Sequence, residues 1–226
     1  MQVTAEIRWF FHSAHDELRA WFCHADAHDY EAGGGLVRVD SYLRDAHQPA
    51  LGLKHRGGKK GVEVKGLVCH LPDQCEVHPF NGPIELWTKW TSETLILETS
   101  KTVTTEKRRW IRRFDTTGAT PVEIQLNDKE APVDREALPS RGCSVEYTHV
   151  RFVDYETKEL IPDSTDWWTL SFEGFGKIDS VKASLCDVAA VMASRNPPNF
   201  DSSFRASYPA FLSQVAQAML SSSHRI

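Results

Sequence analysis

The stretch TAEIRWFF, residues 4–11, alternates polar and apolar side chains over its first six positions. Successive side chains of a β-strand point to opposite faces, and a period of two is the sequence pattern of a half-buried strand. The segment therefore predicts a strand whose apolar face carries Ile7 and Trp9. Its other face places the Glu6 carboxylate beside the Arg8 guanidinium. The environment of this polar face has to be inferred from the rest of the sequence.

The same period recurs along most of residues 1–176. A hairpin is predicted at LGLKHRGGKKGVEVKGLV, residues 51–68, where a glycine-rich turn joins two alternating segments. The segment EAGGGLVRVDSYL, residues 31–43, is predicted to turn through its three glycines into another strand. Further strands are predicted at residues 84–91, 94–99, 101–115, 122–127, 143–154 and 167–176. Eight or nine strands in succession favour a closed barrel or a large curved sheet, largely antiparallel.

Helical periodicity is found in three segments. SAHDELRAWFCHADAH, residues 13–28, follows the first strand and has Ser13 as its predicted N-cap. Two more helices are predicted at residues 178–194 and 208–220, on either side of a proline-containing break. We expect one α+β domain over residues 1–226, with the barrel strands and the early helix in residues 1–176 and a helical part in residues 177–220.

Composition excludes several classes of protein. The chain has 41% hydrophobic and 25% charged residues and a mean hydropathy of −0.40, as ordinary globular proteins do. A net charge of −5 excludes a globally basic nucleic-acid binder. No apolar run approaches the roughly 20 residues of a membrane-spanning helix, and the N-terminus lacks the features of a signal peptide. Five scattered cysteines favour reduced thiols, so we expect a cytoplasmic protein with neither a membrane nor a nucleic-acid partner.

Charged residues collect on one face of the predicted strands. Lys54 and Arg56 share a face in the hairpin, as do Glu63 and Lys65. On the long strand the same-face set is Lys107, Arg109 and Arg113. A sheet with one face in water explains the alternation. It does not explain why the early and middle strands supply mainly lysine and arginine, whereas the first and the last two each supply a glutamate.

A barrel with a polar interior accounts for both features, because it places all of these groups around one lumen. The glutamates on the first and last strands are Glu6, Glu146 and Glu173. Such a lumen suits a multiply charged anion, since cationic side chains bind phosphate oxygens and carboxylates hold a divalent cation that bridges those oxygens.

The order of segments resembles the CYTH superfamily, the triphosphate tunnel metalloenzymes, which include class IV adenylate cyclases, thiamine triphosphatases and inorganic triphosphatases. That family opens with Glu-x-Glu-x-Lys on its first strand, and DSYLRD (40–45) and LGLKHRGGKKGVEVKG (51–66) follow in the family's order. A later Lys-x-Arg strand resembles Lys107 and Arg109. RASYPAFL (205–212) resembles a Ser-Tyr-Pro element that precedes an apolar helix, and the resemblance spans most of the chain.

The resemblance implies a polar tunnel and a role for each residue on its walls. Glu6, Glu146 and Glu173 would be the catalytic residues and would hold Mg²⁺ or Mn²⁺. The phosphate-binding residues would be Arg8, Lys54, Arg56, Lys65, Lys107, Arg109 and Arg113.

The chain departs from the family on its acidic strands. Thr4-x-Glu6-x-Arg8 stands where the family has Glu-x-Glu-x-Lys. An alternative register aligns Glu6 with the first family glutamate, but it sets Arg8 on the second carboxylate and preserves fewer charges. The two late strands each keep one glutamate, in Ser144-x-Glu146 or Glu146-x-Thr148 on the first and in Ser171-x-Glu173 on the second. The lumen therefore has about half of the expected carboxylates, and two-metal catalysis is not expected.

Two functions remain open from the sequence, and the family resemblance by itself would also allow a cyclase. The first is a metal-assisted triphosphatase that acts on inorganic, nucleoside or thiamine triphosphate. The second is a binding module without catalysis, in which a degenerate tunnel holds a nucleotide or polyphosphate. In both, the partner is a small triphosphorylated or polyphosphate ligand.

Overall fold

The computed structural model describes residues 1–24, 31–44, 48–134, 139–161, 164, 166–200 and 204–222, with side chains in the last helix described to residue 215. The strands in these ranges are β1 Gln2–Phe11, β2 Gly33–Leu43, β3 Leu51–Arg56, β4 Val62–His70, β5 Glu85–Ser92, β6 Thr102–Asp115, β7 Val122–Ile124, β8 Gly142–Val153, β9 Trp167–Gly176 and β10 Phe204–Arg205. The helices are α1 Asp16–Cys23, α2 Val181–Ser194 and α3 Tyr208–Ser222.

Eight of these strands form a closed antiparallel barrel. Their order is β1-β5-β4-β3-β2-β6-β8-β9, and β9 pairs with β1 to close the ring. The closing pair runs from Val3 opposite Gly176 to Phe11 opposite Trp168. The short strands β7 and β10 lie beside β6 and β1 respectively. The predicted α+β fold with a closed antiparallel barrel is confirmed.

Alternation along each strand decides which side chains face the interior. On β1, Glu6 and Arg8 line the interior, whereas Ile7 and Trp9 are buried in a hydrophobic core on the outside. That outer core joins β1, β8 and β9 to α1 and α2, and its helical members include Leu18 of α1. The apolar outer faces of β1, β8 and β9 are thus covered by helices, and the polar faces of the strands surround the lumen.

The first turn of α3 closes one end of the barrel. Phe211 of α3 is fully buried and stacks on inward-facing Phe10, with ring centroids 4.1 Å apart. Tyr208 stacks on Tyr42 of β2, with centroids 5.4 Å apart. Tyr42 and Tyr208 form the floor of the lumen, with Phe10 and Phe211 packed nearby, and the segment RASYPAFL (205–212) supplies both Tyr208 and Phe211.

Helix α2 approaches the barrel closely at Gly174 of β9. A Cβ atom at this position would lie 2.2 Å from the carbonyl oxygen of Val181, which is the first residue of α2. Real Cβ atoms do not come so close to backbone oxygens, so only glycine lets the helix start against the strand. This contact fixes α2 over the outer face of β9.

Three predicted elements differ from those observed. Residues 94–99 do not form a strand, and Ile96 is 89% exposed there because no neighbouring strand covers it. Helix α1 begins at Asp16, after His15 rather than Ser13, and its predicted end at residue 28 lies outside the described residues. The predicted strand at residues 122–127 is shortened to Val122–Ile124.

Among the described residues, no helix combines the length and apolar character needed to cross a membrane.

Candidate ligand-binding lumen

The barrel interior contains a cavity of about 550 Å³, which we call the lumen. This volume lies within the range of small-molecule sites. All of the side chains to which the sequence assigns a role line it: Glu6, Arg8, Lys54, Arg56, Lys65, Lys107, Arg109, Arg113, Glu146 and Glu173. The structure therefore brings the predicted set together, while the role of each residue stays a prediction.

Cationic side chains outnumber carboxylates around the lumen. The described lining includes nine lysine and arginine side chains but four glutamates. The cations come from six different strands of the barrel, from β1 to β6, and include Arg38 and Lys89. Because the wall is positively charged in excess, the lumen attracts anions.

Asp40 of β2 is the centre of the cationic cluster nearest the floor. Asp40 is fully buried. Its Oδ2 atom lies 3.2 Å from Arg38 Nε, 3.7 Å from Lys107 Nζ and 3.9 Å from Lys54 Nζ. The Tyr42 hydroxyl donates to the same oxygen and accepts from Lys107. Glu63 lies 3.0 Å from Lys54 Nζ and 3.2 Å from Arg56 Nη2, so two carboxylates face four cations and positive charge remains in excess beside the aromatic floor.

Burial, together with this excess charge, lowers the pKa of both Lys54 and Lys107. Burial lowers the pKa of Lys54 to about 8, with the nearby guanidinium groups of Arg56 and Arg38 acting in the same direction. Burial also lowers the pKa of Lys107 well below its ordinary value. Nearby Asp40 opposes both shifts without cancelling them. An added anion would restore the charged form of these ammonium groups.

A second cluster joins carboxylates from both sides of the β1–β9 seam. Glu6 and Glu173 are register partners across it. Lys89 Nζ of β5 lies 2.7 Å from Glu6 Oε1 and 2.8 Å from Glu173 Oε2. The other Glu6 oxygen lies 2.5 Å from Lys65 Nζ, and Thr4 donates to Glu6 Oε1 at 3.0 Å. The Thr4 hydroxyl therefore supports the Glu6 carboxylate.

These ion pairs hold the groups of the second cluster in their charged forms. Burial raises the pKa of Glu6, but the ammonium groups of Lys65 and Lys89 outweigh it and bring the pKa far below its ordinary value. Burial lowers the pKa of Lys89, and Glu173 and Glu6 outweigh that effect so that the pKa rises.

The third glutamate is paired with an arginine. Arg109 Nη1 donates to Glu146 Oε1 at 2.9 Å, and its other nitrogens bind Glu130. Burial raises the pKa of Glu146, but Arg109 and the more distant Arg8 lower it to about 2. Glu146 is therefore a carboxylate near neutral pH, and a weak base.

Several polar atoms of the wall have hydrogen-bonding capacity left. The Nε atoms of Arg8, Arg56 and Arg113 are buried and have no hydrogen-bond partner among the described residues. The same holds for the hydroxyls of Thr148 and Tyr208, both of which line the lumen. Buried polar groups are normally satisfied, so unpartnered donors around a cavity indicate where a ligand would bind.

The three glutamates do not together form a metal site in this arrangement. Among the described residues, no group of three or more His, Cys, Asp or Glu side chains is placed to hold a metal ion. The oxygens of Glu6 and Glu173 that point toward each other are bridged by the Lys89 ammonium. The assignment of Mg²⁺ or Mn²⁺ to these residues stays a prediction.

Some lining residues were missed by sequence reasoning. Arg38 shares a strand face with Asp40 and Tyr42 in VRVDSY, and this spacing of two was the available signal. Lys89 has no comparable signal, because its partners Glu6 and Glu173 lie on β1 and β9. Tyr208 lines the lumen although it begins a helix.

A comparison with protein-family models and with curated proteins finds no match. Among solved structures, the chain is similar to the PH1819 protein from Pyrococcus horikoshii OT3, at 11% sequence identity and a TM-score of 0.43. The alignment covers 94% of this chain and 99% of that chain. What the lumen binds is therefore inferred from its own side chains.

Proposed function

We propose that this chain binds a multiply phosphorylated anion inside the barrel. The observation that carries the proposal is the excess of cations: nine lysine and arginine side chains and four glutamates surround one cavity of about 550 Å³. Several positive charges at fixed positions match a ligand that carries several negative charges over a short length. A singly charged ligand would leave most of this excess positive charge uncompensated.

The kinds of donor favour phosphate. Arg8, Arg56 and Arg113 each present a buried Nε atom without a partner among the described residues. Guanidinium groups bind phosphate oxygens through two parallel hydrogen bonds, and lysines add point charges. Candidate ligands are inorganic triphosphate, nucleoside triphosphates, thiamine triphosphate and short polyphosphate.

The barrel is also compatible with the family resemblance. A closed antiparallel barrel of eight strands with a polar lumen fits the tunnel that the resemblance to the CYTH superfamily implies. We include the chain in this proposal as a divergent CYTH protein, in which Thr4 replaces one of the paired acids of the first strand.

Hydrolysis of the bound ligand is a second candidate function. It is favoured by the position of Glu6, Glu146 and Glu173, which line the same lumen as the cations. Purified protein with tripolyphosphate, ATP or thiamine triphosphate and either Mg²⁺ or Mn²⁺ would then release phosphate. Turnover no higher than that of Glu146→Ala and Glu173→Ala would eliminate this candidate and leave binding alone.

The binding proposal is tested by calorimetry with tripolyphosphate, both with EDTA and with Mg²⁺. Arg113→Met removes a cation from the lumen, and Arg108→Met makes the same chemical change at an exposed position of the same strand. We expect Arg113→Met to weaken binding about tenfold, which corresponds to roughly 1.4 kcal/mol. Arg108→Met should leave the affinity unchanged. Absence of binding in both buffers, or equal losses in the two variants, would contradict the proposal.

A further inference from the structure

The cluster at the β1–β9 seam already contains its own bridging cation. Glu6 and Glu173 come from adjacent strands and are register partners. The Lys89 ammonium lies 2.7 Å from an oxygen of the first and 2.8 Å from an oxygen of the second. Both distances are those of charge-assisted hydrogen bonds. The two carboxylates therefore converge on one nitrogen atom.

That nitrogen fills the position that a divalent ion would need. Mg²⁺ requires six oxygen ligands in nearly octahedral geometry at about 2.0–2.1 Å. A metal ion that bridged Glu6 and Glu173 would have to displace Lys89 from between them. Lys65 Nζ, 2.5 Å from the other Glu6 oxygen, closes the remaining side of that carboxylate.

The charges of the cluster are balanced without a metal. Glu6 and Glu173 supply two negative charges, and Lys65 and Lys89 supply two positive charges. Glu146 is compensated separately by Arg109, at 2.9 Å. A divalent ion in this cluster would add charge to a wall that already has an excess of cations. The metal-free anion, by contrast, is attracted by these surplus cations.

We infer that Lys89 is the resident bridging cation of the Glu6–Glu173 pair, and that the lumen takes its phosphorylated ligand as the free anion rather than as a magnesium complex. The second half of this inference rests on the proposed function. The first half concerns the free protein and is tested without any phosphate.

The test on the free protein uses Mn²⁺ and electron paramagnetic resonance. Wild-type protein at neutral pH should bind no more Mn²⁺ than Glu173→Gln does at metal concentrations up to about 1 mM. Lys89→Met removes the ammonium, keeps a side chain of similar length, and should gain a Mn²⁺ site that the double variant Lys89→Met/Glu173→Gln lacks. A wild-type Mn²⁺ site that disappears in Glu173→Gln would overturn the inference.

The test with ligand needs only the wild-type chain, so it does not depend on the folding of a variant. Tripolyphosphate is titrated by calorimetry in EDTA and in excess Mg²⁺, which converts the ligand into its magnesium complex. We expect the apparent affinity to fall at least tenfold in Mg²⁺. An unchanged or higher affinity in Mg²⁺ would overturn the free-anion inference. If tripolyphosphate bound in neither buffer, the proposed function would fail, and the Mn²⁺ measurement would still decide the role of Lys89.

Discussion

The Arg8 guanidinium of β1 donates a hydrogen bond to the Thr169 hydroxyl of β9, with Nη1 and Oγ1 2.8 Å apart, across the seam that closes the barrel. The same guanidinium lies over the Tyr208 ring, 5.2 Å from its centroid. Both contacts orient Arg8 in the lumen, and neither supplies a negative charge. Arg8 is thus a positioned cation with capacity left for a ligand.

The first prediction concerns this pair. Arg8→Met should weaken tripolyphosphate binding about tenfold or more, because a hydrogen bond to a charged partner contributes about 1.5–3 kcal/mol. Thr169→Val, which removes only the orienting acceptor, should have a smaller effect. Calorimetry measures both, with Arg108→Met as the surface control. A larger loss in Thr169→Val than in Arg8→Met would count against direct contact of Arg8 with the ligand.

The second prediction concerns pH. The pKa of Lys54 is lowered to about 8, so this residue loses its proton above that pH in the free protein. A bound polyanion favours the protonated form, so binding takes up protons and the affinity should fall as pH rises through about 8. The groups that face Lys54 are the carboxylates of Asp40 and Glu63, the guanidinium groups of Arg56 and Arg38, and the Lys107 ammonium, whose pKa is also lowered by burial. Proton uptake by Lys107 would persist in a variant that changes only Lys54.

Titrations between pH 7 and 9.5, in buffers of different ionisation enthalpy, measure both the affinity and the proton uptake. Lys54→Arg is the matched control, because arginine stays charged throughout this range. Any pH dependence that comes from the ligand's own ionisation persists in this variant. Identical pH profiles for the two proteins would show that Lys54 does not titrate as expected.

The third prediction concerns the floor of the lumen. The Tyr208 hydroxyl is buried, lines the lumen and has no hydrogen-bond partner among the described residues. Tyr208→Phe should leave the free energy of unfolding nearly unchanged, because no internal bond is lost. It should lower the affinity for tripolyphosphate several-fold if the hydroxyl donates to the ligand. Denaturant unfolding and calorimetry on the same preparation separate the two effects, and a stability loss without a change in affinity would contradict this role.

The fourth prediction concerns stability away from the lumen. Arg112 of β6 points outward and is almost fully buried. Its Nη1 atom donates a hydrogen bond to Glu123 of β7, and its Nε atom donates to the Phe22 carbonyl. Arg195, after α2, also pairs with Glu123, at 2.6 Å. Glu123→Gln should lower the free energy of unfolding by about 3–5 kcal/mol, since it leaves buried guanidinium charge uncompensated.

Urea unfolding measures this loss. The exposed ion pair between Lys182 and Asp73 provides the control, because Asp73→Asn should cost less than about 1 kcal/mol. Folded Glu123→Gln should bind tripolyphosphate as the wild type does. Equal stability losses in the two variants would contradict the buried network as a source of stability.

The sequence predicts which side chains line the lumen better than it predicts which of them contact one another. Alternation at TAEIRWFF identifies the inward face of β1, because a period of two assigns each side chain to a face without reference to any other strand. The role of Lys89 needs Glu6 and Glu173 at once, and strand order is a long-range property that local periodicity does not contain. The predicted strand at residues 94–99 was wrong for the converse reason: high β-propensity does not produce a strand when no partner edge is present.

The seam between β1 and β9 has a consequence for how the protein is made. Arg8 and Thr169, which meet across it, are 161 positions apart in the chain. Bringing such distant segments together costs loop entropy, and folds with many long-range pairings form slowly. During synthesis the cavity comes into existence only after the ninth strand has left the ribosome. A ligand of this cavity can therefore bind only chains in which β9 has already been synthesised.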